Sequence, residues 1–235
     1  MEHVVALHGF AGTGRAWDAV DPGYLAPDLP GHGTAGALRP ITFDRCVEQV
    51  LGVASDRFVL VGYSMGGRIA LHVALTAPER VERLVLVSTT AGIDDPVVRQ
   101  ERRRADEALA AEIEQGTIED FVARWSANPL FAGDPPGAVA SWREDMRRNE
   151  PAGLAVALRG IGTGAMAPMW DRLGELTMPS TVVVGERDEK FRALGARLAA
   201  GLAGPVCEVV VPGAGHGLTR EAPEAVAAAI RLDPS

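Results

Sequence analysis

The stretch Phe58–Arg68, with the sequence FVLVGYSMGGR, decides the fold. It opens with an apolar run typical of a buried strand and continues into the pattern G-x-S-x-G, which is followed by a helical segment. The flanking glycines permit a turn in which larger side chains would clash with neighbouring backbone. A helix that starts at this turn also favours negative charge beside it. The pattern therefore predicts a nucleophilic serine, Ser64, at the end of a strand.

Short apolar runs recur along the chain, and each is closed by a loop. They are His3–Leu7, Tyr24–Ala26, Phe58–Val61, Leu84–Val87, Thr181–Val184 and Val206–Val211. The helix-like segments between them are Thr42–Val53, Arg68–Thr76, Phe191–Leu202 and Pro223–Arg231. Continuous apolar strands indicate a sheet that is covered on both faces. The alternation predicts an α/β fold with a mostly parallel sheet of about six strands.

The alternation is interrupted between Val87 and Thr181, where no convincing strand pattern occurs. The helical, charge-rich segments found there are Val97–Gln115, Thr117–Ser126, Ala138–Arg148 and Gly153–Arg159. We predict one domain over residues 1–235, made of a core at 1–92 and 168–235 and a helical cap inserted at about 93–167. The cap is expected over the carboxyl ends of the strands, where open α/β sheets bind ligands.

Composition excludes several functional classes. A formal net charge of -8 argues against a nucleic-acid binder. The amino-terminal sequence lacks a cationic stretch before an apolar run, and no apolar run approaches the roughly 20 residues that cross a bilayer. Cys46 and Cys207 are far apart and match no metal spacing, so we expect two buried thiols. The predicted protein is cytoplasmic, without membrane insertion, metal or organic cofactor, and is a monomer or homodimer.

A serine hydroxyl needs a base, and in this type of fold an acid and then a histidine follow the serine along the chain. The strand run Thr181–Val184 leads to a loop with Asp188, and the last strand leads to a glycine-rich loop with His216. Both loops lie at the same edge of a parallel sheet as Ser64. Glu186 remains an alternative to Asp188, because it lies closer to the strand.

Negative charge that develops on the substrate needs two backbone N–H donors beside the serine. The residue after the nucleophile, Met65, supplies one, and Phe10 in the loop after the first strand is the candidate for the other. In that loop His8 is predicted to shape the backbone or to line the pocket. His72, at an apolar position of the helix after the turn, is predicted to pack in the core.

Arg68 lies four residues after Ser64, so both fall near one face of the same helix. A guanidinium there suits a substrate that carries a carboxylate, and a salt bridge to a neighbouring acid is the alternative. The cap contains many further arginines. Most of them are expected on solvated helix faces, with one or two directed at the site.

The chain resembles the 2-succinyl-6-hydroxy-2,4-cyclohexadiene-1-carboxylate synthases of menaquinone biosynthesis, which have the α/β-hydrolase fold. The resemblance covers nearly the whole chain. The two most specific motifs are Gly-Tyr-Ser-Met-Gly-Gly-Arg at residues 62–68 and Gly-Glu-Arg-Asp-Glu-Lys-Phe at residues 185–191. Further matches are at residues 7–10, 28–33, 101–106, 125, 129–132 and 213–216.

The resemblance implies a lyase that acts on a small polycarboxylate. The triad removes a proton alpha to the succinyl ketone, the oxyanion hole holds the enolate, and pyruvate is expelled without an acyl-enzyme. Arg68, Arg102 and Arg147 match the positions of carboxylate-binding residues. Tyr63 and Trp125 match pocket positions, although Trp125 could equally belong to the core of the cap.

Two other functions are compatible with the sequence. A carboxylesterase or carbon–carbon bond hydrolase would use the same triad, with a more apolar cap. A binding protein without catalysis would be expected to have lost part of the triad, whereas all three residues are present here.

Overall fold

A computed structural model describes residues 3–234, and within them five strands form one parallel sheet. Neighbours in the sheet are also neighbours along the chain. The strands are β1 (Val4–Leu7), β2 (Phe58–Tyr63), β3 (Val81–Val87), β4 (Ser180–Gly185) and β5 (Val206–Val211). Every residue of β2 is buried, which explains its continuous apolar sequence. The predicted α/β class and parallel sheet are confirmed.

The helices of the described residues alternate with these strands, except between β3 and β4, where four follow one another, and after β5, where two do. They are α1 (Phe43–Val53), α2 (Met65–Thr76), α3 (Pro96–Gln115), α4 (Ile118–Ser126), α5 (Pro136–Met146), α6 (Pro151–Ile161), α7 (Glu189–Gly201), α8 (Leu218–Glu221) and α9 (Pro223–Arg231). No helix within residues 3–234 combines the length and apolar character required to cross a membrane.

The sheet has five strands within the described residues and not the six expected, because Tyr24–Ala26 does not form one. Leu25 makes a single parallel bridge with Val5, in which its N–H donates to the Val4 carbonyl. The segment then reaches Pro27, which has no N–H to continue a ladder. Leu25 is also 45% exposed, so little apolar burial favours a longer strand at this edge.

The two faces of the sheet bury separate apolar clusters. Leu60 and Leu84 face one way and pack with Ile69 of α2. Val61 faces the other way and packs with Ile230 of α9. This alternation holds the sheet between two helical layers, and it leaves the carboxyl ends of the strands to be covered by α3–α6.

The four helices α3–α6, called the cap below, have a smaller apolar cluster of their own. Phe121, Trp142 and Leu154 belong to it, and Phe10 of the loop after β1 packs against them. A buried carboxylate anchors the cap to the same loop: Asp145 accepts from the backbone N–H (2.9 Å) and from the hydroxyl of Thr13. The cap therefore rests directly on the loop that borders Ser64.

Candidate active site

Ser64 occupies a strained turn between β2 and α2. Its φ of 52° and ψ of -108° lie in a region that residues with a side chain rarely adopt. The neighbouring glycines are required sterically. A Cβ at Gly66 would lie 2.2 Å from the Leu7 carbonyl oxygen, and one at Gly62 would lie 2.5 Å from the Gly66 carbonyl oxygen. The turn thus presents the serine side chain at the end of the sheet, as the sequence pattern predicts.

The structure brings Ser64, His216 and Asp188 together. His216 Nε2 lies 3.2 Å from Ser64 Oγ, and His216 Nδ1 lies 2.7 Å from Asp188 Oδ2. His216 and Asp188 are 2% and 7% exposed, so the contact between them is shielded from water. This chain of contacts can take a proton from the serine hydroxyl and stabilise the imidazolium that results.

Glu186, the alternative acid, is engaged elsewhere. It is exposed, and its carboxylate accepts the Gly213 N–H at 2.8 Å. Asp188 also accepts the Phe191 N–H at 3.3 Å at the start of α7, which orients its carboxylate. The geometry therefore favours Asp188 as the partner of the histidine.

Glu221, for which the sequence predicts no role, holds the loop that carries His216. Its carboxylate accepts the N–H groups on both sides of His216, from Gly215 at 2.8 Å and from Gly217 at 3.0 Å. Arg187 donates to the same carboxylate at 2.7 Å. Because Arg187 directly precedes Asp188, this ion pair links the loop that carries Asp188 to the loop that carries His216. No motif indicates this role, since it depends on the folding of the loop around a short helix.

Two backbone N–H groups beside the serine are available to a ligand. Phe10 and Met65 both line the cavity above Ser64. Within residues 3–234, neither N–H donates to a protein acceptor. Met65 is the first residue of α2, where N–H groups have no partner inside the helix. These are the two positions that the sequence predicts for an oxyanion hole.

His8 does not line this cavity, and its ring is used entirely by the loop after β1. The Leu29 N–H donates to His8 Nε2 at 2.9 Å, so the ring proton is on Nδ1, which donates to the Gly9 carbonyl at 2.8 Å. Burial lowers the pKa of this ring, which keeps it neutral. Of the two predicted roles, the structure supports loop shaping and not substrate contact.

The cavity above Ser64 has a volume of about 370 Å³, which suits a small-molecule ligand. Among the residues predicted to bind substrate, Tyr63, Arg68, Arg102 and Trp125 line it. The cap and the sheet edge each contribute about half of the wall, so the site lies between them.

Arg68 is a buried cation without an acidic partner. Its side chain donates to the Ile161 carbonyl at 2.7 Å, and no carboxylate of the described residues forms an ion pair with it. The residue is only 7% exposed. Burial, reinforced by the nearby Arg102, lowers its pKa to about 10, so it stays charged at neutral pH. A direct salt bridge is not formed: Asp106, which pairs with Arg102, acts on Arg68 only at a distance and partly offsets the lowering of its pKa. An anion in the cavity would give Arg68 a direct partner.

The two cap arginines differ from each other. Arg102 lines the cavity while its Nε donates to Asp106 at 2.7 Å, and its side chain stays 41% exposed. Arg147 is not brought to the cavity. It lies on the exposed surface of the cap and pairs with Glu119 at 3.0 Å and Glu144 at 2.7 Å. These two carboxylates hold the Arg147 guanidinium at the cap surface.

Trp125 and Tyr63, the two aromatic residues predicted in the pocket, both line the cavity. The Trp125 ring packs against Phe10 (5.3 Å between ring centroids) and stacks on Phe121 (5.7 Å). It therefore belongs both to the cavity wall and to the apolar packing of the cap. The Tyr63 ring lies 5.6 Å from that of His216, and burial raises the pKa of its phenol.

Two further cations line the cavity. Arg220 of α8 donates to the buried Asp134 of the cap at 2.6 Å and lies over the Trp142 ring at 4.1 Å. Lys190, the second residue of α7, lies in the wall near His216. Lys190 belongs to one of the specific sequence motifs, whereas the position of Arg220 relative to the cap is not visible in the sequence.

Comparisons with known proteins identify the family to which the chain belongs. A family model described as the alpha/beta hydrolase family matches residues 4–229. A Bacillus subtilis (strain 168) protein, provisionally assigned as a 2-succinyl-6-hydroxy-2,4-cyclohexadiene-1-carboxylate synthase, is 37% identical over 94% of this chain and 86% of its own length. The synthase of that name from Escherichia coli O1:K1 / APEC is 32% identical over 97% of this chain and 91% of its own.

One solved structure shows a sequence identity close to that of the E. coli synthase. MenH from S. aureus superposes with a TM-score of 0.88 and 31% identity, covering 97% of this chain and 91% of that one. Together, the matches span both the sheet and the cap. The chain therefore belongs to the alpha/beta hydrolase family and, within it, to the 2-succinyl-6-hydroxy-2,4-cyclohexadiene-1-carboxylate synthases.

Proposed function

We propose that this chain is a carbon–oxygen lyase that eliminates pyruvate from 2-succinyl-5-enolpyruvyl-6-hydroxy-3-cyclohexene-1-carboxylate. The observation that carries the proposal is Arg68, a buried and unpaired cation on the helix that begins beside Ser64. An apolar acyl group would gain nothing from this charge. A substrate with several carboxylates would neutralise it inside the cavity, where low polarity strengthens the interaction.

The first step is removal of the proton on ring carbon 2, which is alpha to the succinyl ketone. Ser64 Oγ takes this proton while His216 takes the serine proton, and Asp188 stabilises the imidazolium. The ketone oxygen acquires the negative charge, and the N–H groups of Phe10 and Met65 are the donors available to it. No bond between serine and substrate is needed, so the hydrolytic triad works here as a base.

The second step expels the leaving group. The electron pair from carbon 2 forms the double bond between carbons 2 and 3, the existing bond moves to carbons 4 and 5, and the bond from carbon 5 to the enolpyruvyl oxygen breaks. The expelled enolpyruvate takes up a proton, for which the His216 imidazolium is the source, and becomes pyruvate. Atoms and charge balance without an oxidant, a metal or water as a reactant.

Arg68 and Arg102 are the proposed carboxylate-binding residues, and Tyr63 and Trp125 bound the space for the ring. Arg102 keeps Asp106 as a partner, so its net attraction for an anion is weaker than that of Arg68. The proposed partner is thus a small polycarboxylate. The proposed location is the cytoplasm, where the free thiols of Cys46 and Cys207 would stay reduced.

The test is pyruvate release from the enolpyruvyl substrate, measured beside hydrolysis of a short-chain nitrophenyl ester. The proposal expects stoichiometric pyruvate and diene absorbance, with much slower ester cleavage. Ester cleavage without pyruvate would refute it and would assign the same triad to a carboxylesterase. Labelling by a fluorophosphonate serves as a control, because it reports a reactive Ser64 in either case.

A further inference from the structure

Lys190 is the only lysine in the sequence, in which the other 22 of the 23 Lys and Arg residues are arginines. It is also one of the residues that line the cavity. The two cations differ in their chemistry: arginine offers a planar fork of donors, whereas lysine is a compact charge on a flexible stem. The chain therefore places its single ammonium group at the cavity, and this placement calls for an explanation.

Of the four cations in the cavity wall, two have an acidic partner and two do not. Arg102 and Arg220 each have an acidic partner, Asp106 at 2.7 Å and Asp134 at 2.6 Å. Arg68, which is buried, and Lys190, which is exposed at the cavity wall, have none: no carboxylate within residues 3–234 forms an ion pair with either. The paired cations are neutralised by the protein, whereas the unpaired ones retain their charge for a ligand.

The local structure around Lys190 does not favour a positive charge at this position. It lies in the first turn of α7, where the helix dipole disfavours a positive charge. Its ammonium group stands 5.6 Å from the centroid of the Phe191 ring, and that ring packs 4.3 Å from the ring of His216. The Lys190 side chain therefore lies beside Phe191, which contacts His216, on the helix that begins directly after Asp188.

We propose that Lys190 is a further carboxylate-binding and specificity-determining residue, which receives one carboxylate of the substrate while Arg68 receives another. The proposal deepens the function proposed above and rests on it in requiring a ligand with at least two carboxylates. Two unpaired cations on separate elements, α2 and α7, would select such a ligand over one with a single anionic group, because a monoanion leaves one of them without a partner.

The single lysine allows a direct binding test. Reductive methylation with ¹³C-formaldehyde keeps the charge and labels Lys190 and the α-amino group, and the Lys190 signal is the one missing from Lys190→Arg. Titration with succinate, and then with the diene product, is expected to shift this signal. Sodium chloride at matched ionic strength is the control. An unchanged signal while calorimetry records product binding would overturn the proposal.

Kinetics provide the second test. Lys190→Gln is expected to raise KM for the polycarboxylate about 10-fold or more, with a smaller change in kcat, and Lys190→Arg should restore part of the loss. Arg192→Gln is the matched control, since it removes a charge from an exposed position of the same helix. Equal effects of Lys190→Gln and Arg192→Gln on KM would contradict a specific contact.

The two proposals can fail separately. If the wild type releases no pyruvate but succinate still shifts the Lys190 signal, the lyase function fails and the anion site stands. If pyruvate is released and neither succinate nor the product affects the signal, the lyase function stands and the role of Lys190 is refuted.

Discussion

The sheet edge and the cap hold their charged groups in different ways. At the sheet edge, His216 and Asp188 are buried and face each other across 2.7 Å. In the cap, five of the nine arginines have an acidic partner, and three of these pair with glutamates at the surface, as Arg159 does with Glu107 and Glu114. Exposed pairs contribute little to stability and move easily. The sheet edge therefore holds buried groups that can transfer protons, whereas acids of the cap neutralise more than half of its arginines. Among the described cap arginines, only Arg102 lines the cavity.

The largest effect should come from the sheet edge. Ser64→Ala removes the proposed base and is expected to lower kcat for pyruvate release by about 10²–10⁴-fold. The melting temperature should not fall, because alanine fits the same turn. Steady-state kinetics and thermal unfolding check both expectations. Retained activity would exclude the triad as the base.

Arg68 tests whether an unpaired cation behaves differently from a paired one. Arg68→Ala is expected to cost about 2–5 kcal/mol in kcat/KM, because a buried carboxylate of the substrate would lose its partner. Arg147→Ala, on the exposed cap surface, is the matched control and should change kcat/KM by less than about 1 kcal/mol. Similar losses in both variants would return Arg147 to the site. A loss of thermal stability alone for Arg68→Ala would indicate a structural role.

The sheet edge and the cap also differ in how well the sequence predicts them. The triad could be predicted because each member follows a strand, and parallel strands bring their carboxyl ends to one edge. The G-x-S-x-G pattern predicts a helix that starts at the turn, as α2 does at Met65, but the helix-like segment is recognisable only from Arg68, since two glycines before it disfavour a helix in isolation and tertiary packing overrides this.

The sequence predicts that the cap is helical, but it does not predict which cap side chains face the cavity. Which face of α5 meets the cavity depends on packing against other helices, so the direction of Arg147 could not be read from its position in the chain. The short run Tyr24–Ala26 has the composition of a strand but too little burial to form one. Contacts such as Glu221 with the histidine loop are set entirely by tertiary structure.

A smaller effect is expected from Glu221, which positions His216 without touching the substrate. Glu221→Gln weakens the bond to Arg187 and one of the two N–H contacts, so we expect a loss of about 1.5–3 kcal/mol in stability and a fall in kcat with KM little changed. Thermal unfolding and steady-state kinetics measure the two terms. A normal kcat in a destabilised variant would limit the role of Glu221 to folding.

The smallest effect concerns a histidine away from the site. His72 stacks on Phe43 at 4.3 Å, and burial lowers its pKa to about 4 from 6.5. Because the folded pKa is the lower one, its contribution to stability is complete above pH 6.5 and is lost as the pH falls towards 4. His72→Phe should therefore unfold like the wild type at pH 7.5 and be the more stable protein at pH 5. Denaturant unfolding at both values checks this, and an unchanged difference between them would refute the burial argument.

In the proposed mechanism, a triad of the kind found in serine hydrolases removes a proton from carbon. Single-turnover release of pyruvate from substrate carrying deuterium at ring carbon 2 is the decisive measurement. The mechanism predicts severalfold slower release than from the unlabelled substrate, with no covalent adduct on Ser64 by intact mass. Equal rates together with an adduct on Ser64 would contradict it and would indicate nucleophilic attack instead.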